Sequence, residues 1–170
     1  MKKIIVVTFF SLFLLVITGC DSNTQNSNSD VDDNSNTQTV DQTKYSLDNA
    51  FKFDGFEITV GSTIEFVTVN NEFSDYNNST AIKVPVTVKN VSTETGSLNM
   101  FYYKFFGSQG VQVEELDSYF DDSVDYAGEL RPNASYTKYF YFLYDGNGDY
   151  YINFDNYSEE IELKLTINKQ

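Results

Sequence analysis

Two groups of oxygen-bearing side chains are spaced so that they could do chemistry. Asp145-Gly146-Asn147-Gly148-Asp149 has the D-x-N-x-D spacing with which calcium loops begin, where alternate side chains fold around one hard cation. The match stops there, because the sixth position is Tyr150 where the loop needs Gly and the twelfth is Asn156 where it needs Glu. Asp145, Asn147 and Asp149 therefore suit a weak Ca2+ site at most, and Gly and Asn between two aromatic runs also suit an ordinary hairpin turn. The second group is Glu114, Glu115, Asp117, Asp121, Asp122 and Asp125. Paired carboxylates are the acid and base of a glycosidase, and clustered ones hold cations. Leu116, Tyr119, Phe120 and Val124 lie between them, a pattern equally suited to a solvated loop with a few apolar anchors.

The chain has no histidine and one cysteine, Cys20. Neither a Ser-His-Asp or Cys-His nucleophile nor a His-containing zinc site can be built, which leaves carboxylates, Lys and Tyr for acid–base work. A third group is aromatic. Phe101–Phe106 and Tyr136–Tyr144 carry rings at both strand parities, so a strand with one buried face would expose some of them. Tyr102, Tyr103, Tyr139 and Tyr141 are then candidates for a binding surface of the kind that meets proteins or stacks on sugars. The alternative is that both strands are covered on both faces, or that Tyr lines the outer face of a sheet, where its strand propensity is high.

The elements that must position these groups read as strands. Ile82, Val84, Val86 and Val88 alternate with Lys83, Pro85, Thr87 and Lys89, and Ile161, Leu163, Leu165 and Ile167 alternate with Glu162, Lys164 and Thr166. Pro85 has no N–H for a ladder, so its strand lies at an edge there or its missing donor points away from a partner. Further strands are expected at Phe56–Val60, Ile64–Asn70, Leu98–Phe106, Val111–Leu116, Tyr136–Tyr144 and Tyr150–Phe154. In the second, the apolar pattern moves from Ile64 and Phe66 to Val67 and Val69, which suggests a bulge or a change of sheet. No window of helical length is amphipathic. Short strands separated by Gly, Asn, Asp and Ser predict an all-β, immunoglobulin-like antiparallel β-sandwich of about seven to nine strands, in one domain over 47–170.

Ahead of that domain, residues 21–46 are dominated by Asn, Ser, Asp, Thr and Gln with almost no large apolar group, and read as a disordered tether. Lys2 and Lys3, the apolar run from Ile4 to Val16 and then Ile17-Thr18-Gly19-Cys20 resemble a bacterial lipoprotein signal. The resemblance implies a signal peptide over 1–19, cleavage between Gly19 and Cys20, and lipidation of Cys20, whose acyl chains would anchor the protein to the membrane. The apolar run is shorter than the ~20 residues a spanning helix needs. From Cys20 onward there are nine basic and 25 acidic residues, a charge of −16, which makes nucleic acid an improbable partner. Abundant Asn, Lys, Ile, Tyr and Phe resembles the usage of low-GC Gram-positive bacteria.

The order of elements also resembles the telokin-like, immunoglobulin-fold domain of unknown function found in Gram-positive lipoproteins and related to the secreted immunoprotective antigen family. The matching pieces are Phe56-Glu57-Ile58-Thr59-Val60, Val84-Pro85-Val86-Thr87-Val88-Lys89-Asn90 followed by Val91-Ser92, and Gly128-Glu129-Leu130-Arg131-Pro132-Asn133 with the aromatic strand after it. Asn133 stands where a Gly commonly follows the proline, and 117–126 is unusually acidic. The resemblance implies no catalytic residues. The expectation is a lipid-anchored extracellular module that binds an unknown protein or glycan without catalysis and without a cofactor, weak Ca2+ aside. The alternative is a carboxylate-dependent enzyme acting on envelope or host glycans.

Overall fold

The computed structural model describes residues 45–170, so the expected cleavage site at Gly19 and Cys20 and the tether through residue 44 lie outside the described residues. Eight strands are described: β1 (Phe51–Phe53), β2 (Phe56–Val60), β3 (Glu65–Thr68), β4 (Thr80–Asn90), β5 (Tyr103–Phe106), β6 (Ser135–Leu143), β7 (Gly148–Asp155) and β8 (Glu160–Ile167). One sheet runs β1-β2-β4-β3 with β6 on the other side of β4, and the second runs β5-β7-β8. Every strand pairing is antiparallel. The fold is an all-β antiparallel sandwich, as the period-2 patterns predict, and its helical content among the described residues is three single 3-10 turns.

The two inner faces form one core. Ile82, Val84, Val86 and Val88 of β4 and Phe140 and Phe142 of β6 face Tyr103 and Phe105 of β5, Ile152 and Phe154 of β7, and the alternate residues of β8 from Ile161 to Ile167. Phe105 stacks on Phe142 across the two sheets with centroids 4.5 Å apart, and Phe154 meets both Phe51 and Phe53 edge-on. β4 pairs along most of its length with β6, while its other side is shared by β2 and then β3. Pro85 lies between those two pairings. Its carbonyl accepts the Gly61 N–H at 2.8 Å on the β2/β3 side, so its missing donor points into the gap where one strand hands over to the next. A Cβ on Gly61 would come within 2.7 Å of the Pro85 ring, which is why the close approach needs glycine.

The structure departs from the sequence-based expectation in four places. β1 is a strand that the sequence reading leaves out; Asp54 and Gly55, at φ of 48° and 80°, turn it directly into β2 as a two-residue hairpin. The strand expected from Leu98 begins only at Tyr103, because the Asn99 side chain accepts from the Phe101 N–H and caps a 3-10 turn at Met100–Tyr102. Val111–Leu116 makes isolated bridges from Gln112 to Phe106 and from Glu115 to Phe142 instead of a strand. In β3 the apolar pattern marks neither a bulge nor a change of sheet: Phe66 packs on the main core while Val67 packs on a second cluster on the sheet's outer face.

That second cluster is built from Val69, Ala81, Leu116 and Tyr141, flanked by Tyr76, Tyr119, Phe120 and Tyr139. It explains rings at both parities in β6. Phe140 and Phe142 point into the sandwich, and Tyr139 and Tyr141 point outward beneath the acidic segment 114–125. Tyr103 at 3% exposure and Tyr141 at 1% are therefore largely interior, not rings laid open on the outer face of a strand; Tyr102 and Tyr139 are half-buried.

Candidate functional site

The acidic segment runs along the edge of β6 that β4 leaves free. Leu143 N–H donates to the Glu114 carbonyl, Leu116 N–H to the Tyr141 carbonyl and Tyr139 N–H to the Asp122 carbonyl, at 2.9, 2.7 and 3.2 Å. At Tyr141 the N–H donates instead to a side chain, Asp117 Oδ1, at 2.6 Å. One carboxylate oxygen thus replaces a backbone carbonyl in closing the edge, and Asp117 is fully buried as a result. Its second oxygen, Oδ2, is buried without a hydrogen-bond partner.

Glu115 and Asp125 complete a cluster with Asp117, offering one oxygen each, all within 4.8 Å of one another. Asp125 arrives on the 3-10 turn Val124–Tyr126, and its Oδ1 lies 3.4 Å from the Tyr103 hydroxyl. Burial pushes the Asp117 carboxyl up to about 9, with the help of Glu115 and Asp125 and against the pull of the Tyr141 N–H and the Tyr103 hydroxyl. Burial, then the charges of Asp125 and Glu114, push Glu115 up to about 7, and burial raises Asp125 too. Asp122 behaves in the opposite way. Burial raises it, but hydrogen bonds from Tyr141 Oη at 2.5 Å and Lys83 Nζ at 3.0 Å prevail and hold it below the usual carboxylate range. With Phe120 stacked on Tyr141 at 3.9 Å and the Lys83 ammonium 3.9 Å above the Tyr139 ring, Asp122 is a strut that pins the segment to the sheet.

The Asp145–Asp149 turn is arranged differently. Asp145 Oδ1 accepts from the Tyr150 hydroxyl and from Ser108 N–H, Asn147 Oδ1 from the Tyr144 hydroxyl and Lys169 N–H, and Asp149 from Thr166 and Lys164. Each side chain is engaged by a separate set of protein partners, and Asp149 is neutralised by Lys164 at 2.7 Å. This is the wiring of a turn that fastens β6 and β7 to their neighbours.

Beside the carboxylate cluster lies a groove of about 580 Å³, lined by Asp54, Ser97 to Tyr103, Val124, Asp125, Gly128, Glu129 and Tyr136. It contains three acids and no lysine or arginine. Phe101, at 78% exposure, stands out from it with Met100. Of the sequence-selected tyrosines, Tyr102 and Tyr103 reach this groove, whereas Tyr139 and Tyr141 lie under the 114–125 segment. The sequence gives a sign of the Glu115 and Asp117 pairing, since residues two apart in an extended chain share a face. It gives none of the arrival of Asp125, which an irregular fold-back delivers.

No family model matches this chain, and no curated protein sequence does. Among solved structures it is similar to the yjhA protein of Bacillus subtilis, at 14% identity over 71% of this chain and 98% of that one, with a TM-score of 0.51. It is similar also to ycdA, a candidate lipoprotein of Bacillus subtilis, at 14% identity and TM-score 0.50 over 69% of this chain, but it spans only 38% of that longer chain. MPT63, a secreted protein of Mycobacterium tuberculosis, matches at 12% identity and TM-score 0.50 over 72% of this chain and 95% of its own. Identities this low establish the architecture: the chain is an antiparallel β-sandwich of a kind also built by bacterial secreted and candidate lipoprotein chains.

Proposed function

We propose that this protein is a lipid-anchored envelope protein, held to the extracellular face of the membrane through Cys20, whose sandwich is a non-catalytic binding module. The observation that carries the reading is the groove beside Tyr103. Its wall supplies Asp54, Asp125 and Glu129 with no opposing base, and its rim supplies the exposed Phe101 and Met100. Acidic groups beside exposed aromatic surface fit a partner that offers an ammonium or guanidinium group next to an apolar or flat face. A basic peptide segment of a protein and an amino-sugar glycan both have that chemistry. The signal-like N-terminus and the fold shared with secreted and candidate lipoprotein chains support the location.

The carboxylate enzyme is the second reading, and the geometry of the cluster disfavours it. A retaining glycosidase holds its two carboxyl groups ~5 Å apart across an open cleft, with both reaching the scissile bond. Here Asp117 is sealed against β6 and cannot touch a sugar. The test is binding of the full chain to lysine- and arginine-rich peptides and to amino-sugar oligosaccharides. Saturable binding that weakens at least about tenfold in both Phe101→Ala and Glu129→Lys supports the module. Binding untouched by either substitution overturns it, and glycan hydrolysis that disappears in Glu115→Gln or Asp125→Asn favours the enzyme.

A further inference from the structure

We infer that Glu115, Asp117 and Asp125 form a binding site for one calcium ion, set into the edge of the sandwich where the 114–125 segment closes over β6. Three features of the molecule carry this. The first is spacing. Oxygens that share a Ca2+ ion at ~2.3–2.6 Å stand at most ~5 Å apart, and the three carboxylates each bring an oxygen to within 4.8 Å of the other two. Mg2+, at ~2.0–2.1 Å, would need the trio drawn in to about 4 Å, and it gives up water reluctantly, which a ligand as buried as Asp117 would require.

The second is the state of Asp117. Its Oδ1 is fixed by the Tyr141 N–H, so the carboxylate cannot rotate away, and its buried Oδ2 lacks a hydrogen bond of good geometry, the nearby Tyr103 hydroxyl donating instead to Asp125 at 3.4 Å. A native interior leaves such an oxygen unpaired only rarely, and a cation at the cluster would satisfy it. The third is charge. The ion pairs among the described residues are Lys83 with Asp122 and Lys164 with Asp149, so neither neutralises any member of the trio. Asp122 has its lysine and Asp149 has its own, while the three acids that converge rely on none.

The arrangement also offers a way in. Asp125 is exposed and Glu115 half-buried, so an ion reaches the buried oxygen through the wetter two, and water fills the remaining coordination positions. Three carboxylates without a complete loop place the affinity in the range of extracellular calcium modules, about 10⁻⁴–10⁻³ M. The site shares Asp125 with the neighbouring groove, so calcium and a basic partner of that groove would compete for this carboxylate, whereas Glu115→Gln acts on the calcium site alone.

The test is titration of the full chain with CaCl2 by calorimetry, alongside thermal melts in CaCl2, MgCl2 and ionic-strength-matched NaCl. One saturable site, a melting shift larger in calcium than in the other salts, and loss of both in Asp125→Asn and Glu115→Gln are expected. Asp125 is exposed, so Asp125→Asn keeps its fold and the result stands even if a variant at Asp117 does not. Asp149→Asn, in the other candidate turn, should bind calcium as the parent does. Equal shifts in all three salts, calcium binding that survives Asp125→Asn and Glu115→Gln, or no heat up to about 10 mM CaCl2 would each overturn the inference.

Discussion

Asp117→Asn should make the protein more stable at alkaline pH when a chelator is present, although it removes a buried carboxylate that holds the β6 edge. The carboxyl is pushed up to about 9 in the folded chain, chiefly by burial, whereas an unfolded Asp titrates near ~3.9. The folded state therefore binds the proton more tightly. Stability from this group is fully present below the unfolded value and is lost as pH rises toward the folded one, at about 1.4 kcal/mol per pH unit for one proton. By pH 8, keeping that proton costs about 5–6 kcal/mol, which the amide of Asn does not incur. The amide keeps an acceptor for the Tyr141 N–H but buries an NH2 with no assigned partner, a penalty of about 1–3 kcal/mol. The net expectation is a variant about 2–4 kcal/mol more stable than the parent at pH 8 and about equal at pH 5. Urea unfolding in EDTA at pH 5, 6, 7 and 8 measures it. The two stabilities should diverge with pH at close to 1.4 kcal/mol per unit. A variant less stable by a constant amount at every pH would refute the reasoning, because Asp117 would then be ionised or solvated in the folded state. Saturating calcium should shrink the variant's advantage, since only the parent gains from the ion.

Cys20→Ala should abolish acylation and leave the precursor unprocessed or the protein released into the medium, read by metabolic labelling with a fatty acid and by fractionation; an Ala variant that still needs detergent would contradict the anchor. Phe105→Ala removes the ring stacked on Phe142 at the centre of the core and should cost about 3–5 kcal/mol in urea unfolding, while Lys104→Ala, on the outward face of the same strand, should stay within about 0.5 kcal/mol. Equal costs at the two positions would mean that β5 is out of register with β7.

How much of this was legible depended on whether one residue's neighbours in sequence were also its neighbours in space. β4 and β8 announce themselves because each alternates cleanly, one parity to the core and the other to water. β6 is harder, since Tyr139 to Phe142 put aromatic rings on both of its faces; the pattern that raised an exposed surface comes from a sheet buried there on both sides, the outer one by a loop. The hairpin at Asp54-Gly55 did carry a signal, the Asp-Gly pair between Phe-Lys-Phe and Phe-Glu-Ile, and three residues are simply too few for a periodicity to register. Asn133 is the converse. Its identity looked like a departure from a glycine-bearing turn, and its φ of 66° shows that it takes up the left-handed conformation the glycine would have supplied. The acidic segment was legible as a cluster but not as two populations, because what separates Asp122 from Asp117 is the hydroxyl of Tyr141 and the ammonium of Lys83, 19 and 39 residues away in the chain.

That division follows from how the sandwich closes its edge. β6 presents the N–H groups of Tyr139, Tyr141 and Leu143 on the side away from β4, and an uncovered row of donors invites pairing with another chain. A regular strand would have covered them with carbonyls alone. The segment 114–125 cannot be regular, since Leu116 must turn inward to seal Tyr141 while Phe120 lies flat on the same ring. The chain therefore bends away after Leu116, and the donor left at Tyr141 is met by the first side chain of the bend, Asp117. A neutral acceptor could have done that work. A carboxylate there brings a second oxygen into the interior with nothing to satisfy it, and Glu115 and Asp125 stand around it with further acid. Such an arrangement needs a proton or a cation to offset it, so on the inference above the closure that hides the sandwich edge is also where calcium and pH should act on the domain.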